Sequence, residues 1–357
     1  MMPGWSQLPE ELLHLISTHL ENCFDVVHAR SVCSSWRSSF PLPSSLLCES
    51  YSLPAFADFP HEREGLCTLK KVPLFLFRVR APTTATAAEF LMGGIGRDES
   101  EDHMELLSPL QCSVKVKIKG SVPTLMNMLD CQILPLGHQY RIIGCNPKDY
   151  SSVAFLSLGE GGFVVLLKYD INLLVLTSAE MRWKRLHIVP SSLCWSLVTF
   201  RGRFYATLLS REIVVIDPYS LEVTLLLPSP KNYLVPSGND ELFLVQLTTP
   251  IGVLGIGHLK CRVSRLDEEV GKCVEVTDLG DRVLFIGGQL GTFSCSAHAC
   301  GLTGNSILFI NLPHDATYLY KSTGNAEDHL NCWRSSRETP QMKLETSFPV
   351  IALRAQR

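Results

Sequence analysis

Residues 8–16 read LPEELLHLI and residues 30–37 read RSVCSSWR, and these two stretches decide how the chain is organised. Pro9 suits the first position of a helix, because its missing N–H costs no hydrogen bond there. Glu10 and Glu11 then place negative charge against the positive end of the helix dipole. We therefore predict a helix from about Pro9 to Leu20.

The predicted helix carries a broad apolar stripe. Leu12, Leu13, Leu15, Ile16 and Leu20 recur at intervals of three and four residues, which is the spacing of one helix face. So much apolar surface on one short helix needs a partner that buries it.

Two further short helices are predicted, over residues 26–30 and over residues 32–39, where Pro41 stops the second of them. The apolar side chains that this last helix presents are Val32, Cys33 and Trp36. Three short helices in so few residues leave apolar surface uncovered. Some of that surface must pack on something else.

The composition is that of a folded globular protein. The chain has 357 residues, of which 46% are hydrophobic and 19% are charged. The formal net charge of −3 provides no sequence-wide basic field for phosphates, and the Lys and Arg residues are scattered. Binding of nucleic acid is therefore disfavoured.

The lack of a targeting pattern in the first twenty residues and the distribution of the cysteines indicate a reducing compartment. The first twenty residues lack a basic region followed by an apolar core, and no apolar run approaches the roughly 18 residues that span a bilayer. The 13 cysteines are odd in number and diluted over the chain, so we expect small buried thiols rather than disulfides. We expect a cytoplasmic or nuclear protein with no membrane partner.

A change in composition marks the domain boundary. Four prolines lie between residues 41 and 60, together with serines and acidic residues, which is poor material for a regular element but suits a crossover pinned to a neighbouring surface. We predict a helical domain over residues 3–42, a linker or crossover over 43–71, and a β-rich domain over 72–350.

The β-rich domain is predicted from short apolar, β-branched runs that Gly, Pro, Asn and Asp separate. The runs are residues 74–77, 114–118, 153–156, 163–167, 173–176, 197–200, 204–208, 213–216, 223–227, 242–245, 283–286 and 306–310. Little helical periodicity occurs beyond the N-terminal domain. Many short strands joined by tight turns indicate a sandwich, a barrel or a propeller.

A repeated pattern favours the propeller. One unit, over residues 173–217, contains a strand that leads to Trp183, a strand with a Gly turn into its partner, and a strand that ends in Asp217. A looser copy runs over residues 261–311. Four strands in roughly 45 residues is the size of a propeller blade, although an irregular sandwich remains an alternative. The fold class is α+β, with a three-helix domain before a mainly-β, propeller-like domain.

The N-terminal pattern of Leu-Pro, spaced leucines, Val-Cys and Trp-Arg resembles the F-box motif. The resemblance implies docking to a Skp1-like protein and, through it, to the cullin of a ubiquitin ligase. The side chains that it implies for this contact are Leu8, Pro9, Leu12, Leu13, Ile16, Leu20, Val32, Cys33 and Trp36. The alternative is that the same side chains only form a helical cap on the following domain.

The β-rich part is similar to the C-terminal propeller-like domain of a large, mostly uncharacterised plant F-box family. The resemblance rests on LGDRVLF at 279–285, CGLTGNSILF at 300–309 and LSPL at 107–110. Ser108 stands where the family usually has Asn. A second departure is the acidic run over residues 96–102, which we expect to be a solvated loop, and neither departure alters the predicted class.

We find no catalytic signature. The chain has no Gly-x-Ser-x-Gly elbow, no His-Glu-x-x-His and no P-loop, so we assign no catalytic residue and no cofactor. Cys295, His298 and Cys300 are the best metal candidates, but a structural zinc needs four ligands and no second pair lies nearby. We expect a loop there and no metal, and we expect Trp183 and Trp195 to fill the core.

The sequence therefore predicts a non-enzymatic substrate-recognition adaptor of an SCF-type (Skp1, cullin and F-box) ubiquitin ligase. In this interpretation the F-box docks to Skp1 and the β-rich domain binds a target protein whose identity the sequence does not reveal. The alternative is a scaffold propeller, outside any ligase, with a purely structural helical N-terminus. A propeller enzyme is a third possibility, but it lacks a recognisable polar constellation.

Overall fold

The computed structural model describes a defined set of residues, to which every structural statement below applies. They are residues 5–20, 26, 29–30, 32–40, 50–56, 65–80, 88–94, 112–116, 124–127, 131–144, 150–170, 172–188, 193–228, 233–238, 240–248, 260–287, 291–300, 302, 304–309, 316–320, 333–336, 342–344 and 352–355. The LSPL phrase at 107–110 and Pro41, used in the sequence predictions, lie outside this set.

Helices are few and strands are many. The helices are a 3-10 turn at Trp5–Gln7, α1 at Glu10–His19, α2 at Ser34–Ser39 and α3 at Ala297–Cys300. The first strands are β1 Ser50–Pro54, β2 Leu66–Arg80, β3 Ala88–Gly94, β4 Cys112–Val116, β5 Thr124–Asn127, β6 Cys131–Ile143, β7 Tyr150–Gly159, β8 Gly162–Tyr169, β9 Asn172–Thr177, β10 Lys184–Arg185, β11 Cys194–Phe200 and β12 Arg203–Leu208. The others are β13 Glu212–Ile216, β14 Val223–Pro228, β15 Tyr233–Ser237, β16 Glu241–Thr248, β17 Lys260–Asp267, β18 Lys272–Glu275, β19 Arg282–Gly287, β20 Gly291–Ser296, β21 Ser306–Phe309, β22 Ala316–Tyr320, β23 Trp333–Ser336, β24 Met342–Leu344 and β25 Ala352–Ala355.

Two compact units share these elements. The first comprises Met1–Glu49, Lys71–Gln139 and Pro340–Arg357, and the second comprises Ser50–Lys70 and Tyr140–Thr339. In the first unit, β3 pairs antiparallel with β2 and parallel with β24, and β4 pairs with β5 and β25. The prediction of a mainly-β protein with a small helical N-terminus is confirmed.

The N-terminal helical module, which we define as residues 5–40, differs in detail from its prediction. Pro9 is the residue before α1 rather than its first residue, and its carbonyl accepts the N–H groups of Leu12 and Leu13, both at 3.1 Å. The last helix begins at Ser34 and not at residue 32, because Cys33 has an extended backbone with φ −163°. Val26, Ala29 and Arg30 are helical, in the position predicted for the second helix.

One side of α1 closes a small apolar core. Leu13 lies fully buried there with Val26, Ala29, Trp36 and Phe40. The rings of Trp36 and Phe40 stack with centroids 5.3 Å apart. The Arg30 guanidinium donates to the Phe40 carbonyl and so satisfies the carbonyl that follows α2.

The second unit contains two complete four-stranded antiparallel sheets, in the orders β10-β9-β8-β7 and β11-β12-β13-β14. Each is a meander of neighbouring strands, as expected for a propeller blade. The β11–β12 turn uses Arg201 and Gly202, both with positive φ, which matches the twist of a tight hairpin. The strand prediction is confirmed, but the grouping is wrong by one strand, because β9 belongs to the sheet before Trp183.

Apolar side chains between adjacent sheets hold the second unit together. One core joins the β7–β10 sheet to the β11–β14 sheet, and another joins the latter to β15, β16 and β17. Val164, Leu166, Phe204 and Ile216 are fully buried in the first of these cores. The face-to-face burial explains why these strands read as continuous apolar runs rather than as a strict alternation.

The last part of the second unit departs from the repeat. Strands β15, β16, β17 and β18 repeat the meander, but β19 pairs parallel with β21 and antiparallel with β20. A parallel pair needs a crossover connection, and β20 and α3 supply it. The strands of the predicted looser copy over 261–311 belong to one nine-stranded sheet, in which β23 and β22 lie between β17 and β21, so they do not form a separate four-stranded blade.

The predicted linker contains regular structure, contrary to the expectation from its composition. β1 pairs with the first residues of β2 over Ser50–Lys70, and β2 continues through residue 71 without a break. Leu53, Phe56 and Leu69 are buried in a core with residues of the β7–β10 sheet. The segment is thus pinned to a neighbouring surface, as predicted, but it is pinned as a β-hairpin.

The indole of Trp183 anchors this hairpin, since its Nε1–H donates to the Pro54 carbonyl at 2.8 Å. We predict that Trp183→Phe lowers the free energy of unfolding by about 1 kcal/mol, because the half-buried Pro54 carbonyl loses its indole donor and keeps the weaker Cys67 thiol donor at 3.4 Å. Chemical denaturation measures the loss, and faster amide exchange in β1 localises it. The exposed neighbour Met181 provides the control: Met181→Ala should cost under about 0.5 kcal/mol. Equal effects of the two changes would contradict the prediction.

A side-chain hydrogen bond joins two sheets of the second unit. Tyr205 of β12 is buried and its hydroxyl donates to Glu268 Oε1 at 2.9 Å, after the end of β17. Arg201 lies 3.9 Å from the same carboxylate and donates to the Asp240 carbonyl at 2.8 Å. Burial raises the pKa of Tyr205, and the hydrogen bond to Glu268 raises that pKa further.

This raised pKa predicts a loss of stability in alkali. The unfolded chain releases the Tyr205 proton from about pH 10, whereas the folded chain retains it, so the free energy of unfolding falls as pH rises above that value. The slope from this residue is at most about 1.4 kcal/mol per pH unit. Tyr205→Phe should flatten the decline in urea titrations between pH 9 and pH 11, whereas a Phe at the exposed Tyr219 should not. A decline of unchanged slope in Tyr205→Phe would refute this assignment.

Candidate docking site

The nine predicted docking residues fall into three classes of exposure. Pro9, Leu12 and Val32 are exposed, and Leu8, Ile16, Leu20 and Cys33 are half-buried. Leu13 and Trp36 are instead buried inside the module, at 0% and 8% exposure. The structure therefore places two of the nine residues in the module's own core, where they support the surface from below.

The apolar side chains that α1 leaves outside are Leu12 and Leu15, which are 46% and 56% exposed. Their spacing of three residues puts them on one face of the helix. Leu13, between them, points into the core. Leu15 was missing from the predicted set, although the same helical spacing could have identified it.

Trp5 is the second residue that the sequence prediction missed. Its side chain is 72% exposed, while its carbonyl accepts the Trp36 Nε1–H at 2.9 Å. The two indole rings meet edge to face with centroids 6.5 Å apart. The buried Trp36 therefore holds the backbone of Trp5 in place and leaves the ring of Trp5 in contact with solvent. The sequence feature that could have identified Trp5 is a single Trp just before the Leu8-Pro9 pair.

These observations define the exposed apolar set of the module as Trp5, Leu12, Leu15 and Val32. Thirteen large apolar side chains are exposed among the described residues, and four of them belong to this short module. Exposed apolar side chains concentrated in so short a segment mark an interaction surface rather than a random scatter.

Polar residues flank α1. An open concavity of about 410 Å³ is lined by Glu10, Glu11, His14 and Ser39. Glu10 and Glu11 occupy the first turn of α1, where their negative charge is favourable to the helix dipole. An apolar centre with a polar surround is the composition of a protein interface.

The metal candidate of the sequence prediction forms a structured turn. The Asp281 carboxylate accepts the Ser296 hydroxyl at 2.5 Å and the backbone N–H of His298 at 2.9 Å. These hydrogen bonds lower the pKa of Asp281, with the Ser296 bond first. Within the described parts of the chain, no group of three or more His, Cys, Asp or Glu side chains is arranged to hold a metal ion.

The two tryptophans of the β-rich part differ in environment. Trp183 is buried in a core, as predicted. Trp195 is half-buried, with its ring 5.5 Å from that of Tyr233 and 5.9 Å from Lys168 Nζ. Trp195 therefore does not fill the core as completely as the sequence suggested.

A membrane-spanning helix is not found in the described residues. None of their helices reaches the length and apolarity that such a span requires.

Comparison with known proteins identifies both parts of the chain. Residues 5–47 match the F-box domain and residues 73–331 match the KIB1-4 beta-propeller. Two F-box/kelch-repeat proteins of Arabidopsis thaliana are 57% and 58% identical to this chain, cover all of it, and are covered over 98% and 97% of their own length. F-box protein SKIP23 of the same plant is 28% identical over 83% of this chain and 81% of its own length.

Among solved structures, a virginiamycin B lyase from Staphylococcus aureus matches 67% of this chain and 76% of its own, at 9% identity and a TM-score of 0.32. So low a score supports no inference. The family models and the Arabidopsis relatives agree with the small helical module and the mainly-β remainder of the structure. This chain belongs to the family of plant F-box proteins that carry a KIB1-4 β-propeller.

Proposed function

We propose that this protein is a substrate-recognition adaptor of an SCF-type ubiquitin ligase. The helical module docks to a Skp1-like protein, which links it to the cullin, and the β-rich part, over residues 50–355, captures a target protein. The observation that carries the proposal is the exposed apolar set, which stands outside a module whose own core is already closed by Leu13 and Trp36.

The adaptor contributes proximity rather than bond chemistry. F-box proteins are typically non-catalytic, and a bound target is held at high effective concentration near the enzyme that transfers ubiquitin. The family membership supports this role in general terms. The protein is accordingly proposed to act in the cytoplasm or nucleus, where such ligases meet their targets.

The energy for docking comes from apolar burial. Full burial of an exposed Leu or Val side chain contributes about 1.5–3 kcal/mol. Leu12, Leu15 and Val32 are each about half exposed, so each contributes about 1 kcal/mol when a partner covers the remainder. Trp5 adds a larger area, because most of its indole is in contact with solvent.

We predict that Leu12→Asp combined with Leu15→Asp abolishes Skp1 capture. Each change removes apolar contact and requires a carboxylate to be desolvated at the interface, so affinity should fall at least about 100-fold, or about 2.7 kcal/mol. Purified plant Skp1 on a biosensor measures the dissociation constant. Both positions are exposed, so circular dichroism of the variant should match that of the wild type.

A matched control comes from the β-rich part. Leu225 and Val274 are exposed to similar extents, 55% and 45%, on strands β14 and β18. Leu225→Asp with Val274→Asp should bind Skp1 as the wild type does. Undiminished binding by the Leu12 and Leu15 variant would refute docking through α1, and would favour the scaffold alternative in which the module has only a structural role.

A separate prediction tests the supporting core. Trp36→Ala removes the indole that stacks on Phe40 and positions Trp5, so it should destabilise the module by about 3–5 kcal/mol. Skp1 binding should then be lost together with the helical circular dichroism signal and the protection of α1 amides. Trp5→Ala, at the exposed indole, should weaken binding while α1 stays protected. If Trp36→Ala left α1 protected, Trp36 would not be the support that we describe.

A further inference from the structure

The turn that follows β20 brings two cysteine thiols together. Cys295 is the penultimate residue of β20, and Cys300 is the last residue of α3. The Cys295 side chain hydrogen-bonds with that of Cys300, and both thiols are free. Cys295 is half-buried, whereas only 2% of Cys300 is exposed.

The backbone between the two cysteines is held in place. The N–H of Ala297 donates to the Asp281 carbonyl at 2.6 Å, and the N–H of Ala299 donates to the Ser296 hydroxyl at 3.2 Å. Together with the hydroxyl and amide bonds to the Asp281 carboxylate, these contacts fix both ends of the turn. The two sulfurs are therefore brought together by a preformed turn rather than by chance encounter of flexible segments.

The hydrogen bond between the two thiols affects their pKa values in opposite directions. It lowers the pKa of Cys300 and raises that of Cys295, while the Asp281 carboxylate raises both. Cys300 is therefore the thiol of the pair that loses its proton more readily.

We propose that Cys295 and Cys300 form a reversible disulfide when the protein meets a peroxide. The Cys300 sulfur attacks one peroxide oxygen as its thiolate, the O–O bond breaks, and a sulfenic acid forms on Cys300 together with hydroxide, which takes the Cys295 S–H proton to become water. The Cys295 thiolate then attacks the Cys300 sulfur, an S–S bond forms, and the S–O bond breaks with loss of hydroxide, which takes from solvent the proton that Cys300 had released and becomes the second water. Two thiols are oxidised and one hydrogen peroxide is reduced.

A dithiol reductant reverses the step. This proposal does not depend on docking to Skp1, because the turn lies in the β-rich part of the chain. A metal site is the other chemistry that two thiols suggest, but the described residues offer no further ligand set at this turn.

Peptide mass spectrometry tests the proposal on the full-length protein. Trypsin releases residues 283–321, which contain Cys295 and Cys300 and no other cysteine, and residues 273–282, which contain only Cys273. Cys273 is an exposed residue, although partial burial of its thiol raises its pKa. It has no neighbouring cysteine in its peptide and therefore provides an internal comparison. The protein is treated with hydrogen peroxide, alkylated with N-ethylmaleimide, and digested.

The expected result is a 283–321 peptide that is lighter by two hydrogen atoms and takes up no maleimide. It should form at least about tenfold faster than Cys273 loses its reactivity, since the resolving thiol is already in place. Dithiothreitol should restore two maleimide sites. In Cys295→Ser the two-hydrogen loss should disappear and Cys300 should gain oxygen instead, whereas Cys273→Ser should leave the disulfide unchanged.

Three outcomes would overturn the proposal. The peptide could keep both maleimide sites after Cys273 is oxidised, it could be linked to a cysteine of another peptide, or its oxidation could resist dithiothreitol. The first outcome is read from the wild-type protein alone, so it stands even if a variant fails to fold.

Discussion

The packing of Trp36 inside the helical module is the contact on which its surface depends. The indole stacks on Phe40, donates to the Trp5 carbonyl and lies in the same core as Leu13. With that core closed from within, Ile16 still packs against it, whereas Leu12 and Leu15 of α1 remain about half exposed. Large apolar groups left exposed beside a closed core are the feature from which we propose association with a partner.

In the β-rich part, by contrast, the strongest apolar segments are buried and stabilise the interior. Its strongest apolar runs, such as Val164–Leu167 and Val283–Ile286, are buried between or within sheets. Polar links then connect neighbouring sheets, as Tyr205 does with Glu268. This division agrees with the adaptor role that we propose.

The predicted strand runs fall on strands wherever they lie in described residues, because an apolar β-branched run between turn residues leaves few other conformations. Strands such as β1, β3 and β15 were not predicted, because they lack such a run. Grouping strands into sheets was less secure. The strand leading to Trp183 was grouped with the strands that follow it, yet this strand, β9, pairs with β8 through a short turn at Asp170, and pairing follows the shortest connection. The parallel pairing of β19 with β21 was not predictable, because it depends on α3, a helix of only four residues.

For the predicted docking residues, the sequence likewise does not tell which side chains are buried and which are exposed. A helical pattern tells which residues are apolar, but a stripe more than 100° wide has a buried centre and exposed borders. Leu13 and Leu15 are the same residue type two positions apart, and their exposures are 0% and 56%. Leu13 is buried because Val26, Ala29 and Trp36 pack on its side of the helix to form the core, and Leu15 lies away from them. Those residues are distant from Leu13 in sequence, so the motif indicates the segment that we propose for docking, while the tertiary packing decides which of its leucines are exposed.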